Sequence, residues 1–418
     1  MPIVHKNNGK VKLEKCNGEK TAALHNLGCK VNAYETEALR ELLIADGYRI
    51  VPFTEEADVY IVNTCTVTNI ADKKSRQMLR RARKLNPDAQ IVAVGCYVDT
   101  AKSDLVESGI CDITIGNEDK NKLIGLLHRP AMHTRAFLKV QDGCEMYCAY
   151  CLIPYARGKC KSREREEILA EITELAKNGF QEFVLTGIHL SSYGKDTGDT
   201  LLSLIEAVDQ IPGVQRIRLG SLEPRIITEA FCRGLAALKH FCPHFHLSLQ
   251  SGCEATLKRM NRHYTPEEYK QCCDLLRSTF THPALTTDVI VGFPGETEEE
   301  FGETVSFLRE LSLYEIHVFP YSKRSGTRAA KMPDQVTEEV KKARSTVLLE
   351  LTAAQAKDFR TYYEGKEEEI LLEECEIHDG VQYFTGYTKE YVKLAVDAEG
   401  REANTFVRGI VGKELVLL

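Results

Sequence analysis

The chain has 418 residues, 43% apolar and 28% charged, which suggests two or three packed domains, and its formal net charge of −7 speaks against a molecule basic over its whole surface. Fifteen cysteines are too sparse for a disulfide scaffold at this length, and their odd number and clustered spacing fit a reducing compartment and metal chemistry. The opening Met1-Pro-Ile-Val-His-Lys-Asn-Asn has no apolar signal core, and no stretch approaches the roughly 18 apolar residues of a membrane span, so a soluble cytoplasmic protein with no membrane partner is expected.

Residues 1–20 are polar and rich in Lys, Asn and Gly, and read as a loose arm without function. From residue 21 to 130 strands and helices alternate. Strands are expected at Thr21–Leu27, Ala57–Asn63, Gln90–Val94 and Asp112–Ile115. Helices are expected at Asn32–Asp46, Ile70–Leu85, Ala101–Ser108 and Asp119–His128, the first carried by Tyr34, Ala38 and Leu42 and stopped by Gly47. This alternation predicts a doubly wound parallel sheet.

Cys29, Cys65 and Cys96 each fall just past the carboxyl end of an expected strand, where open α/β sheets bind ligands. A metal site on that sheet edge is expected. Inert core filling is the alternative for any single cysteine, and Cys16 and Cys111 are read that way. The helix 70–85 carries Lys73, Lys74, Arg76, Arg80, Arg81, Arg83 and Lys84. In an acidic chain this stripe reads as a phosphate contact surface, with a merely solvated face as the alternative.

Pro130 to about Ala330 forms a second series, with strands expected at Ala136–Val140, Glu182–Thr186, Arg216–Gly220, Phe245–Leu249, Leu285–Val291 and Tyr314–Pro320 and helices between them. Six β/α repeats predict a partial barrel, whose chemistry sits in the loops after the strands. Directly after its first strand comes Cys144-Glu-Met-Tyr-Cys148-Ala-Tyr-Cys151. Soft thiolates select iron–sulfur, zinc or Cu(I). An iron–sulfur cubane normally takes four cysteines, so three leave one iron open. A zinc site completed by Cys160 is the alternative, and the spacing fits it poorly. Glycine and small polar residues recur after the later strands, at Thr186-Gly187, Gly220-Ser221-Leu-Glu223 and Val291-Gly292. His189, His246, His263 and His317 read as packed or solvated, and Cys232, Cys242, Cys253, Cys272 and Cys273 as structural.

Pro333 to Ala356 reads as a connecting helix, followed by five short strands (Glu369–Leu372, Val381–Tyr387, Tyr391–Ala395, Thr405–Ile410, Glu414–Leu418) punctuated by glycine. These predict a small β-barrel of a type that binds nucleic acid. Residues 357–418 hold 8 Lys/Arg against 14 Asp/Glu, so RNA contact there would fall to Lys389, Lys393, Arg401 and Arg408 with stacking by Tyr387 and Tyr391. A structural cap is the alternative.

The cysteine spacing at 144–151 is that of the radical S-adenosylmethionine (SAM) superfamily, and the chain from about residue 21 resembles the methylthiotransferase family. Carrying the resemblance are Leu27-Gly-Cys-Lys-Val-Asn32, Asn63-Thr-Cys-Thr-Val-Thr68, Val94-Gly-Cys-Tyr97, Ile153-Pro-Tyr-Ala-Arg-Gly158 after the Cys144–Cys151 knot, Phe245-His-Leu-Ser-Leu-Gln-Ser-Gly252 and Asp288-Val-Ile-Val-Gly-Phe-Pro-Gly-Glu-Thr297. The resemblance implies a cluster-binding domain at 21–130, a radical SAM core at 131–354 and an RNA-binding all-β TRAM domain at 355–418. It implies two [4Fe-4S] clusters, one on Cys144, Cys148 and Cys151 that reduces SAM to a 5′-deoxyadenosyl radical, the other on Cys29, Cys65 and Cys96 that holds the methylthio sulfur. By family position, Tyr150 would lie against the SAM adenine, Thr186 and Gly187 would receive its amino group, Glu223 its ribose, and Val291 and Gly292 would edge the adenine. Arg157 and Arg163 would meet the SAM carboxylate or a tRNA phosphate.

The first of these segments, with Gly187-Ile-His-Leu and Phe319-Pro-Tyr-Ser, is similar to the branch acting on N6-threonylcarbamoyladenosine at position 37 of tRNA. The alternatives are isopentenyladenosine in tRNA and a ribosomal protein side chain. Implied partners are the anticodon loop of ANN-decoding tRNAs and an electron donor such as flavodoxin or ferredoxin, but not DNA.

Overall fold

The computed structural model describes residues 4–7, 10–13, 20–124, 134–378 and 381–417. They divide into two compact units: one from the segments up to residue 132, 137–161 and 322–330, the other from 133–136, 162–321 and 331 onward. In the expected loose arm, β1 (Val4–Asn7) and β2 (Lys10–Leu13) pair antiparallel, and Lys-Val-Lys-Leu of β2 alternates at strand period. Cys16 lies outside the described residues.

The first unit then runs β3 (Thr21–Asn26), α1 (Lys30–Ala45), β4 (Arg49–Ile50), β5 (Val59–Thr64), α2 (Asn69–Leu85), β6 (Gln90–Gly95), α3 (Cys96–Glu107), β7 (Ile113–Ile115) and α4 (Asn117–Ile124). The strands form one parallel sheet in the order β4-β3-β5-β6-β7. The order reverses between β3 and β5, the switch point at which doubly wound sheets take ligands. Buried runs such as Val-Tyr-Ile-Val-Asn-Thr in β5 are what a sheet covered on both faces requires. One core packs Tyr34, Leu39 and Leu43 of α1 on Val59, Ile61, Val92 and Val94. The other packs Leu79, Ala82, Tyr97 and Leu105 on Tyr60, Val62, Ile91 and Ala93.

Helix α3 begins at Cys96, five residues before the expected start, because Tyr97 and Val98 are buried in the second core; non-helical Ala101 (φ −143°) kinks it. Residues 125–128 of the expected helix 119–128 lie outside the described residues. β8 (Arg135–Asp142) crosses into the first unit at Phe137 and leads through the cysteine knot to α5 (Ile153–Arg157); the two-residue β9 (Lys161–Ser162) crosses back.

The second unit continues with α6 (Arg165–Lys177), β10 (Glu182–Gly187), α7 (Leu201–Asp209), β11 (Arg216–Leu219), α8 (Glu229–Ala236), β12 (His244–His246), α9 (Glu254–Arg259), α10 (Pro266–Thr279), β13 (Ala284–Val291), α11 (Glu298–Leu311) and β14 (Glu315–Pro320). Parallel ladders join β10 to β11 and β12 through β13 to β14, and bridges at Ile217–Phe241 and Leu222–Leu247 continue the arc across the middle. The connecting helix, α12 (Glu338–Thr361), starts five residues later than expected, where Thr337 accepts a hydrogen bond from the Val340 amide.

The chain ends in β15 (Glu367–His378), β16 (Val381–Tyr387), β17 (Lys393–Asp397), β18 (Phe406–Ile410) and β19 (Val416–Leu417), an antiparallel sheet ordered β18-β15-β16-β17-β19. Two buried arginines fasten it to the arc. Arg216 donates to the carbonyls of Tyr387 (2.6 Å) and Glu369 (2.7 Å), and Arg218 to those of Thr388 and Lys389 (both 2.7 Å). Glu182 compensates their charge at 2.6 Å from Arg218; burial alone would raise its pKa, but Arg218, Arg135 and Arg216 hold it below the usual value.

This docking takes up the two tyrosines expected to stack on RNA. Tyr387 and Tyr391 stack on each other at 4.5 Å, and the Arg135 guanidinium covers both rings at 4.9 and 5.0 Å. Lys393 pairs with Glu376 and Arg408 with Glu369. The turn 387–391 needs donors for its carbonyls once it is buried, and the arginine forks supply them. The two rings thus help to hold two parts of the same unit together.

Candidate metal centre

Three turns at one edge of the first unit's sheet carry the first thiol trio. Asn26, Asn63 and Val94 are register partners, so the chain leaves β3, β5 and β6 at the same level. Cys29 then caps α1, Cys65 directly follows β5, and Cys96 opens α3. Gly28 (φ +109°) lets the Cys29 turn approach closely, since a Cβ there would stand 3.0 Å from the Cys65 sulfur. Burial pushes the Cys65 thiol up to about 11, and the neighbouring Cys96 and Cys29 add to the rise. A cation bound at this edge would displace the Cys65 proton and so relieve that opposition.

The second trio lies in the same unit. Gly143 (φ +72°) turns the chain out of β8 into the knot, and a Cβ there would stand 1.9 Å from the Lys159 carbonyl oxygen. The Cys144 amide donates to the Gly158 carbonyl (3.1 Å) and the Cys151 amide to that of Cys148 (3.0 Å), which closes the loop. Cys144, Cys148 and Cys151 are all partly accessible, whereas a structural zinc site is normally closed. Cys160, the alternative fourth ligand, has its sulfur 3.9 Å from the Gly143 carbonyl oxygen.

Arg157, expected to face a ligand, is instead buried with no side-chain exposure. Its Nε donates to the Cys96 sulfur (3.2 Å), Nη1 to Glu35 and Asp142 (both 3.0 Å), and Nη2 to the Asn32 amide oxygen (2.8 Å). Arg163, the other expected ligand contact, pairs with Glu171 at 2.8 Å. Glu35 is fully buried, and burial would raise its pKa, but Arg157, Lys120 and Lys139 hold it well below the carboxylate range. A second clamp comes from residues 322–330. Arg324 donates to Thr66 (2.5 Å) and pairs with Asp72 (2.8 Å), both beside Cys65, and the Ala329 amide donates to the Ala149 carbonyl inside the knot (2.8 Å). Sequence alone singles out Arg157, as a ligand contact, but does not separate Arg324 from the chain's many other arginines.

The basic stripe of α2 divides. Lys73, Lys74, Arg80, Arg81 and Lys84 are exposed, opposite buried Ser75, Leu79 and Ala82. Arg76 bonds the Tyr97 hydroxyl (2.5 Å) and Arg83 pairs with Asp112 (2.6 Å), so both serve the fold.

Of the residues expected to touch SAM, Tyr150 sits half-buried inside the knot in the first unit. The rest belong to the second unit. Thr186 and Gly187 end β10; Val291 ends β13, with its carbonyl accepting from the Tyr321 amide (2.8 Å); Gly292 (φ +69°) donates its amide to Glu296 (2.9 Å). Glu223 accepts from the Arg225 amide with Oε2 (3.2 Å), while its buried Oε1 has no hydrogen-bond partner among the described residues. A buried acceptor without a donor fits a ligand hydroxyl. His246 and His317, read singly as packed or solvated, gather with Asp288 on adjacent strands, their ligating atoms within 4.8 Å of one another.

Known proteins give this arrangement a class. Residues 138–308 match the radical SAM superfamily, and residues 21–116 match the uncharacterized protein family UPF0004. A radical SAM methyltransferase, TsrM from Kitasatospora setae, has a similar fold (TM-score 0.56, 16% identity, 72% of this chain and 73% of that one). Over 404 residues the chain is 42% identical to the threonylcarbamoyladenosine tRNA methylthiotransferase MtaB of Bacillus subtilis, covering 90% of each chain. It is 37% identical to the MtaB of Aquifex aeolicus (84% of this chain, 92% of that one), and 34% identical to the tRNA-2-methylthio-N(6)-dimethylallyladenosine synthase of Acetivibrio thermocellus (91% and 86%). The chain belongs to the radical SAM methylthiotransferase family.

Proposed function

We propose that this protein adds a methylthio group to carbon 2 of N6-threonylcarbamoyladenosine at position 37 of tRNA, in the anticodon loop of ANN-decoding tRNAs. The observation that carries this reading is the presence of two thiol trios in one compact unit, each on its own tightly closed turns. The name of a relative 42% identical over 90% of the chain supports the choice of nucleoside. In this reading residues 21–130 carry one cluster, 131–354 form the radical SAM core and 355–418 the TRAM domain. Among the described residues no helix is long and apolar enough to cross a membrane. We place the enzyme in the cytoplasm, drawing single electrons from a flavodoxin or ferredoxin.

Cys144, Cys148 and Cys151 would hold one [4Fe-4S] cluster, and Cys29, Cys65 and Cys96 the other. When bound, these clusters and SAM supply one-electron reduction, hydrogen abstraction and the methylthio group, chemistry no side chain of this chain can perform. The residues present fit such groups, since six cysteines come as two trios, each one short of the four a cubane normally takes, and Glu223 Oε1 lacks a donor among the described residues. The protein's own part is placement. Gly143 and the Gly158 carbonyl hold the knot closed. Tyr150, Thr186, Gly187, Glu223, Val291 and Gly292 would bind SAM, with Glu223 accepting from its ribose. The exposed cations of α2 would meet the tRNA backbone, and the exposed rings of Tyr147 and Tyr155, 6.0 Å apart, offer stacking surfaces beside the knot.

Mass spectrometry of tRNA nucleosides from cells lacking the gene tests this. The 2-methylthio derivative of threonylcarbamoyladenosine should vanish and return on complementation. Its persistence, or loss of the dimethylallyladenosine derivative instead, overturns the assignment.

A further inference from the structure

We infer that Arg157 is a positioning residue for the group held by Cys29, Cys65 and Cys96, and that its hydrogen bond to the Cys96 sulfur raises the reduction potential of that group. The inference rests on the proposed reading that this trio holds an iron–sulfur cluster.

One side chain reaches all three turns. Nε donates to the Cys96 sulfur at 3.2 Å. Nη2 donates to the Asn32 side-chain oxygen at 2.8 Å, and the Asn32 amide nitrogen donates in turn to the carbonyls of Leu27 (2.7 Å) and Thr64 (3.1 Å). Leu27 and Thr64 immediately border Gly28-Cys29 and Cys65, so Asn32 splices those two turns and Arg157 splices the pair to the third. The opposite side of the guanidinium grips Asp142, whose Oδ1 also accepts the Gly143 amide (2.8 Å) at the entrance to the knot. Arg157 itself stands at the end of the short helix that leaves the knot. The same residue therefore spans both thiol trios within one unit.

The sulfurs are not treated alike. Cys96 receives a charge-assisted donor from Arg157 and a second, longer contact from Asn117 Nδ2 (3.6 Å); Cys65 receives the Val67 backbone amide (3.5 Å). Donors to a cluster's sulfurs stabilise its more negative, reduced state and raise its potential. The guanidinium is fully buried, so water does not screen that effect, while Glu35 and Asp142 keep it fixed and compensated. Lysine keeps the charge but lacks the planar fork that serves Cys96, Asn32, Glu35 and Asp142 at once.

The test uses the full chain with Cys144, Cys148 and Cys151 all replaced by Ala, so that only the other trio can bind iron, reconstituted without oxygen. Arg157→Lys and Arg157→Gln are made in that background. Iron content and far-ultraviolet circular dichroism report loading and fold; a potentiometric titration followed by electron paramagnetic resonance reads the midpoint. Arg157→Lys should keep fold and iron and shift the midpoint to a more negative potential; Arg157→Gln should shift it further or lose iron while folded. Unchanged midpoints in both variants at full iron overturn the inference. A triple-Ala parent that binds no iron overturns instead the reading of the trio as a cluster site.

Discussion

Lys120 Nζ lies 2.5 Å from Glu35 Oε2, and neither side chain has any solvent exposure. Glu35 also meets Lys139 and Arg157 at 3.0 Å, so one carboxylate stands under three cations, and Asp142 pairs with the last two of them. Removing one partner of a buried ion cluster strands the rest, at a cost of about 3–5 kcal/mol. Glu35→Gln is therefore expected to lower unfolding stability by about that amount at pH 7, read by denaturant titration of the iron-free protein. The sign follows from the depressed pKa of Glu35. Its stabilisation is complete above the unfolded carboxylate value, near 4.3, and disappears as pH falls through the native value. The gap between wild type and variant should close in acid; a gap independent of pH contradicts the ion cluster.

Gly143→Ala should disable the knot. The added methyl would meet the Lys159 carbonyl oxygen at 1.9 Å, at a φ of +72° that alone costs an alanine about 1–2 kcal/mol. Iron per chain should fall by about half, with the other trio still loaded, and activity should drop more than tenfold. Wild-type iron content would show that the turn tolerates a side chain.

Arg324 is nearly buried and ties Thr66 and Asp72 to the loop after β14. Arg324→Ala leaves Asp72 unpaired and frees the Cys65 turn. A loss of about 1–3 kcal/mol is expected from leaving the partly buried Asp72 without its partner, together with slower iron uptake by Cys29, Cys65 and Cys96. Uptake can be followed by absorbance in a chain whose 144–151 cysteines are changed to Ala. Equal rates would mean the clamp does not hold that turn.

On α2 the exposed Lys73, Lys74, Arg80 and Arg81 are expected to weaken tRNA binding together when changed to Ala, without changing the choice of nucleoside. Each lost phosphate contact lowers the slope of log Kd against log salt by about 0.7–0.9. Filter binding at several salt concentrations measures this. Arg76→Ala and Arg83→Ala, which remove internal bonds, should lower the Tm instead.

Glu368 offers the opposite pH sign. Burial and the adjacent Glu390 push its carboxyl up to about 7. The folded state thus holds a proton that the unfolded state releases between about pH 4.3 and 7, so the contribution to stability is largest in acid and lost as pH rises through 7. Glu368→Gln should raise the Tm at pH 8 and change it little at pH 4.5. An equal gain at both pH values would contradict the raised pKa.

The legible part of the site is the part written by local spacing. Cys144, Cys148 and Cys151 fall within eight residues of one another, so a single turn suffices to bring them together. Cys29, Cys65 and Cys96 were readable because each follows a strand, and parallel strands of one doubly wound sheet deliver their ends to one edge. The same logic exposed the solvent face of α2, whose buried Ser75, Leu79 and Ala82 keep helical period.

By itself the sequence determined the alternation of elements, the two thiol trios and the family, because each depends on residues near in the chain or on a repeating period. Only the tertiary structure decided which charges meet. Arg157 is drawn inward by Glu35, 122 residues away, Arg324 by Thr66, 258 away, and Tyr387 and Tyr391 are taken up by arginines of the arc. A buried cation must find a carboxylate or a carbonyl, but which one is set by how packed elements come into register over long separations, and no local pattern carries that register.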